Sequence, residues 1–149
     1  MNLFDTISKD IKNAMLKKEK EKLEVLRAIK TALLLAKTEK GQDSVLSEET
    51  EIKLLQKLIK QRKEAGEIYK TQVRKELANK EFFEAEIIQT YLPEQISEEE
   101  LIKILKDIIT ETGASSVKDM GKVIGLASKR LAGKADGKMI SEKVKMLLS

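Results

Sequence analysis

The sequence predicts an all-α protein, with a four-helix-type N-terminal helical domain over residues 1–92 and a small three-helix C-terminal domain over residues 93–149. Three observations carry that prediction. First, the 149 residues are 41% hydrophobic, 36% charged and only 3% aromatic. Leu, Ile, Val and Ala therefore dominate the apolar set, beside long Lys and Glu side chains that form helices readily. Second, apolar residues recur at three- and four-residue steps, and no segment alternates with period two. Third, the single proline, Pro93, is followed at once by a helix-start pattern, which makes Pro93 to Ile96 the boundary between two parts.

Each element has its own justification. Leu3, Phe4, Ile7, Ile11, Ala14 and Met15 share one stripe of an opening helix. Leu23, Leu26, Ile29, Leu33 and Ala36 do the same for a second helix from Lys20 to Glu39, and Gly41-Gln-Asp-Ser then breaks the pattern. Ser47 with Glu48 and Glu49 reads as a cap with acids on the helix dipole, and opens a third helix through Ile52, Leu55, Leu58 and Ile59. Gly66 weakens that helix by about 1 kcal/mol relative to Ala without ending it. A break near Lys70-Thr71 leads to a fourth helix over Gln72 to Tyr91. Past Pro93, Ser97-Glu-Glu-Glu100 reads as a capping box, with Ser97 as cap and Glu100 reaching back. Three shorter helices follow, over Glu98–Glu111, Val117–Leu131 and Lys138–Leu148, with Gly113 ending the first of them.

Composition excludes several chemistries. The chain has neither Cys nor His, which removes disulfides, thiolate or imidazole metal sites, Cys nucleophiles and His-dependent triads. No cofactor and no metal are expected. The opening residues lack a signal-peptide pattern and no apolar run approaches the roughly 20 residues that span a bilayer, so a cytoplasmic protein without a membrane partner is expected. The acids at Glu98, Glu99 and Glu100 are accounted for by a helix's first turn, and Glu81, Glu84 and Glu86 by a solvated face. No nucleophile–base spacing emerges; Ser115 and Ser116 have only Lys118 within reach. No catalytic residue is assigned.

The informative stretch is the C-terminus. Five of the seven glycines lie from Gly113 onward. From Val117 to the end, eight Lys or Arg face three acids, while Pro93 to Ser116 holds two lysines and six acids. A phosphate-binding loop would need Gly-x4-Gly-Lys-Ser/Thr after a strand, and neither Lys122 followed by Val123 nor Lys134 followed by Ala135 meets it.

Wound as one helix from Val117 to Leu131, the core stripe is Val117, Met120, Ile124, Ala127 and Leu131. Lys118, Lys122 and Lys129 then fall within about 40° of one another, with Gly121 and Gly125 beside them. Two readings stay open: the glycines seat a neighbouring helix and the lysines are solvated, or the glycines let a ligand backbone come close while the lysines neutralise phosphates. Gly133-Lys-Ala-Asp-Gly137 is an interhelical loop, with Gly133 at positive φ and Asp136 capping the last helix. Lys134 and Lys138 flank that helix N-terminus, where anions bind well.

Several runs resemble the YqeY-like family, in the family's order and spacing: Tyr91-Leu-Pro-Glu-Gln95, Ser97-Glu-Glu-Glu-Leu101, Gly113-Ala-Ser115, Asp119-Met-Gly-Lys-Val-Ile-Gly125 and Gly133-Lys-Ala-Asp-Gly137. Gln61-Arg-Lys63 and Glu76-Leu77…Glu81 extend the resemblance through the N-terminal half. That family is related to the tail domain of the B subunit of tRNA-dependent amidotransferase, and is similar to an N-terminal domain appended to some glutaminyl-tRNA synthetases. The resemblance implies a helical part followed by a small three-helix part, with tRNA as ligand and an aminoacyl-tRNA synthetase or amidotransferase as a further partner. The amidotransferase's glutaminase and kinase-like sites have no counterpart here, so non-catalytic tRNA binding is expected. The expected contacts are Lys118, Lys122, Lys129, Lys134 and Lys138, with Arg130 outermost and Gly121, Gly125, Gly133 and Gly137 as points of close backbone approach. Accessory work in glutamine-dependent amide transfer and a protein-only interaction module are the alternatives.

Overall fold

The computed structural model describes residues 2–39, 41 and 45–149; among them there are seven α-helices, one 3-10 turn and no strand. The helices are α1 (Leu3–Leu16), α2 (Lys20–Glu39), α3 (Glu48–Thr71), α4 (Lys75–Gln89), α5 (Glu98–Thr112), α6 (Met120–Arg130) and α7 (Gly137–Leu148), with the 3-10 turn at Val117–Asp119. The break expected over Gly41-Gln-Asp-Ser lies, Gly41 apart, outside the described residues. None of the described helices is long and apolar enough to cross a membrane. Contacts divide the chain into two compact units, Met1–Leu92 and Pro93–Ser149.

In the first unit, Ile7 and Ala14 of α1, Val25, Leu26, Ile29 and Leu33 of α2, Leu55 and Ile59 of α3, and Ala85 and Ile88 of α4 form one buried cluster. Burying such aliphatic side chains contributes about 25 cal/mol per Å² of apolar surface. Val25 belongs to this core although the sequence stripe passes it over, and Met15, placed on the stripe, is 55% exposed. Caps set where helices begin: Asp5 N donates to Asn2 Oδ1 at 2.8 Å and Thr50 N to Ser47 Oγ at 3.1 Å.

The third and fourth helices form a hairpin. Instead of α4 starting at Gln72, Val73 takes φ 57 and Arg74 N donates to Tyr69 O at 2.9 Å, which closes α3 and delays α4 to Lys75. Gly66 lies buried inside α3 because the Phe82 ring of α4 occupies the space a side chain would need; a Cβ there would sit 2.7 Å from ring carbons. That glycine's weak propensity is offset by close helix packing. At the unit's C-terminal end, the Tyr91 hydroxyl donates to Asp10 Oδ2 at 2.5 Å.

The second unit has its own core: Leu101, Leu105 and Ile108 of α5, Val123, Ala127 and Leu131 around α6, Ala135, and Ile140, Val144 and Leu148 of α7. Glu100 N donates to Ser97 Oγ at 3.2 Å, so Ser97 caps α5; the returning Glu100 bond of a full capping box is absent among the described hydrogen bonds. Gly113 ends α5 at φ 70. The helix expected from Val117 starts later. The Asp119 carboxylate accepts from Ser115 N at 3.0 Å and Ser116 N at 3.4 Å, which holds Val117–Asp119 as a 3-10 turn and sets the start of α6 at Met120. The core stripe otherwise stands: Ala127 and Leu131 are buried, and Met120 and Ile124 pack against the same cluster. Val123 is fully buried, whereas Val117, expected inside, is 47% exposed.

Candidate nucleic-acid interface

With α6 confined to Met120–Arg130, one side is buried through Val123 and Ala127, continued by Leu131. The opposite side carries Gly121, Lys122, Gly125, Ser128 and Lys129, all exposed. At 3.6 residues per turn these five span about 120° of the helix surface. Lys118 is exposed as well, but it sits on the 3-10 turn, so its place on this side does not follow from winding an α-helix through it.

The two glycines of this face are unlike Gly66. A Cβ built at Gly121 or at Gly125 meets no heavy atom within 4 Å, and the same holds at Gly137. Among the described residues no neighbouring helix is seated on them. Inside a helix each glycine lowers stability by about 1 kcal/mol relative to Ala. At Gly121 and Gly125 none of the described residues makes use of the missing side chain.

Gly133 behaves differently from the other three. It is buried, takes φ 77 as expected, and turns the chain between α6 and α7. Lys134 N donates to Leu131 O at 2.8 Å within that turn. Asp136 caps α7 as expected, accepting from Met139 N at 2.7 Å. The α7 N-terminus is thereby partly satisfied by the chain's own carboxylate, which lessens its pull on an external anion.

Charge on this unit is unevenly neutralised. Lys118, Lys122, Lys129, Lys134 and Lys138 are exposed, and none forms an ion pair among the described residues. Arg130 is engaged: its guanidinium makes a two-pronged bond to Glu111 of α5, Nη1 to Oε1 at 3.3 Å and Nη2 to Oε2. That guanidinium holds the Glu111 carboxyl below the usual carboxylate range, and the Glu111 carboxylate in turn raises the guanidinium. Lys143 pairs with Glu98. Of the three acids beyond Val117, Asp119 and Asp136 are occupied by backbone N–H groups.

One contributor escaped the sequence reading. Gln95 Nε2 donates to Gly133 O at 2.5 Å and to Pro93 O at 3.2 Å, while Ile96 N donates to Lys134 O at 2.9 Å. The segment read as a domain boundary thus holds the Lys134 loop. Its only sequence signal was the run Tyr91-Leu-Pro-Glu-Gln95 among the motifs that carry the family resemblance. Among the described residues no three His, Cys, Asp or Glu side chains gather where they could hold a metal ion.

Fold and surface define a small all-helical protein with an open lysine- and glycine-bearing helix face. The chain belongs to the YqeY-like family, whose model, described as "Yqey-like protein", matches residues 4–148. It is similar to the protein named "Altered inheritance of mitochondria protein 41, mitochondrial" of Pyrenophora tritici-repentis, 29% identical over 140 residues that cover 91% of this chain and 75% of that protein. The protein of the same name from Vanderwaltozyma polyspora is 29% identical over 145 residues, covering 93% of this chain and 77% of its own length.

Proposed function

We propose that the chain is a non-catalytic tRNA-binding protein that grips the phosphate backbone with the open face of α6 and the loop leading to α7. One observation carries this reading: Gly121 and Gly125 stand in a helix, exposed, with none of the described residues occupying the space above them, beside Lys122 and Lys129, which form no ion pair among the described residues. Helical glycines that serve no packing weaken the fold, so the space they leave is read as belonging to an external backbone. A polyanion suits that space because lysines release counterions on meeting phosphates. The likeness to the amidotransferase tail supports tRNA as the polyanion.

Lys118, Lys122, Lys129, Lys134 and Lys138 supply the charge, giving affinity without base specificity. Gly121, Gly125 and Gly137 admit the backbone, and Gly133 serves the loop's own turn. Arg130 reaches a phosphate only by leaving Glu111. The cytoplasm stays the expected location for this chain; "mitochondrial" in the relatives' names describes those proteins. Substituting Gly121 and Gly125 together by Ala tests the reading. The account expects a more stable protein with weaker tRNA binding, and unchanged binding would refute it.

A second reading, a helical module that docks on a synthetase or amidotransferase, is favoured by one feature. Val73 is 79% exposed while held at φ 57, a conformation unfavourable for a β-branched residue. A protein partner retained after nuclease treatment, and lost with Val73→Gly, would support it. Release of ammonia from glutamine by the purified chain would overturn the non-catalytic reading itself.

A further inference from the structure

From the hydrogen bonds at the start of the second unit, we infer that Gln95 is a positioning residue for the tRNA grip, holding Lys134 where it meets a phosphate. The inference rests on the tRNA-binding reading and extends it to a residue that touches no ligand. Lys134 lies in the turn after α6, outside any helix, so helical geometry does not fix its backbone. Its N–H is held by Leu131 O at 2.8 Å within the turn, and two bonds from one short segment hold the carbonyl side. The Gln95 side-chain amide donates to the carbonyl of Gly133 at 2.5 Å, and the backbone N–H of Ile96 donates to the carbonyl of Lys134 at 2.9 Å.

These bonds join residues 38 positions apart and brace both carbonyls flanking the Lys134 backbone. The third bond, from Gln95 Nε2 to Pro93 O at 3.2 Å, ties the same amide to its own segment and limits its rotation. Gln95 uses both amide protons in this way and has none left for a ligand. Its side chain is on the exposed side of the unit and contributes nothing to the buried cluster. Its contribution therefore belongs to the loop and not to the core. A lysine whose backbone is fixed before binding loses less conformational entropy when it meets a phosphate, which is why bracing its loop raises affinity.

Gln95→Met keeps the length of the side chain and removes the donor. Wild type, Gln95→Met, Lys134→Ala and the double variant are compared by tRNA binding over a salt series, with a urea melt of each. Lys134→Ala is expected to flatten the slope of log affinity against log salt by about one. Gln95→Met is expected to lower affinity at every salt concentration with little change in slope or in the melt, and to cost nothing further in the Lys134→Ala background. Full additivity of the two affinity losses, or a Gln95→Met affinity equal to wild type, overturns the inference while leaving the tRNA reading intact. A wild-type chain that binds no tRNA at low salt overturns both. Hydrogen exchange on the free wild-type protein provides a measurement independent of folding variants. The Ile96 amide and the Gln95 side-chain amide are expected to be protected, and rapid exchange of both overturns the inference.

Discussion

Gly66 and Gly121 are the same residue in the same kind of element, and their substitution by Ala should have opposite signs. At Gly66 the new methyl would meet the Phe82 ring at 2.7 Å, so the ring must move. Overpacking of this kind costs about 1–3 kcal/mol, which exceeds the gain in helix propensity. At Gly121 and Gly125 no atom lies within 4 Å of the added methyl, and each substitution should stabilise the protein by about 0.5–1 kcal/mol. Urea melts of Gly66→Ala and of the Gly121→Ala/Gly125→Ala double variant check both signs. Sequence alone shows two helical glycines; what separates them is whether a distant ring arrives above the site, and that is decided by tertiary packing. Tyr91 is a second case at this scale. Burial, reinforced by its hydrogen bond to the Asp10 carboxylate, raises its hydroxyl above the ordinary value. The folded state therefore keeps the phenol proton where the unfolded chain releases it, so the contribution is complete below a pH of about 10 and falls as pH rises further. The stability gap between wild type and Tyr91→Phe should accordingly stay constant from pH 8 to about pH 10 and shrink as pH rises above that.

Elements whose ends are fixed by local chemistry were legible. Ser47, Ser97 and Asp136 cap α3, α5 and α7 where the sequence placed caps, because a cap needs only a side chain and the N–H three residues on. The start of α6 was not legible in the same way. Periodicity counted Val117 into the helix, but the Asp119 carboxylate turns back to the amides of Ser115 and Ser116 and keeps the chain in a 3-10 turn. A hydrophobic pattern cannot register that competition. Asp119→Ala should release those two amides and destabilise the protein by about 1 kcal/mol, measurable in the same melts. The α3–α4 turn was displaced for a related reason: its closing bond from Arg74 to Tyr69 requires φ 57 at Val73, where glycine would be the ordinary signal. The exposed side of α6 survived the later start because Gly121, Lys122, Gly125 and Lys129 all lie within the helix as it stands.

At the scale of the molecule, net charge is only +4, and it conceals segregation along the chain. Residues 93–116 hold two lysines against six acids, and residues 117–149 hold eight cations against three acids. The structure adds that two of those three acids serve backbone amides, while six of the seven lysines form no ion pair among the described residues. Charge was legible in the sequence; which cations are engaged was not, since Arg130 with Glu111 and Lys143 with Glu98 are pairs made across helices. Salt-dependent binding of tRNA by the whole chain is the direct test of the account. Log affinity should fall linearly with log salt, and a Lys122→Gln/Lys129→Gln/Lys134→Gln variant should flatten the slope by about three. A variant that binds with the wild-type slope and affinity, or a wild-type chain with no affinity at low salt, would contradict it.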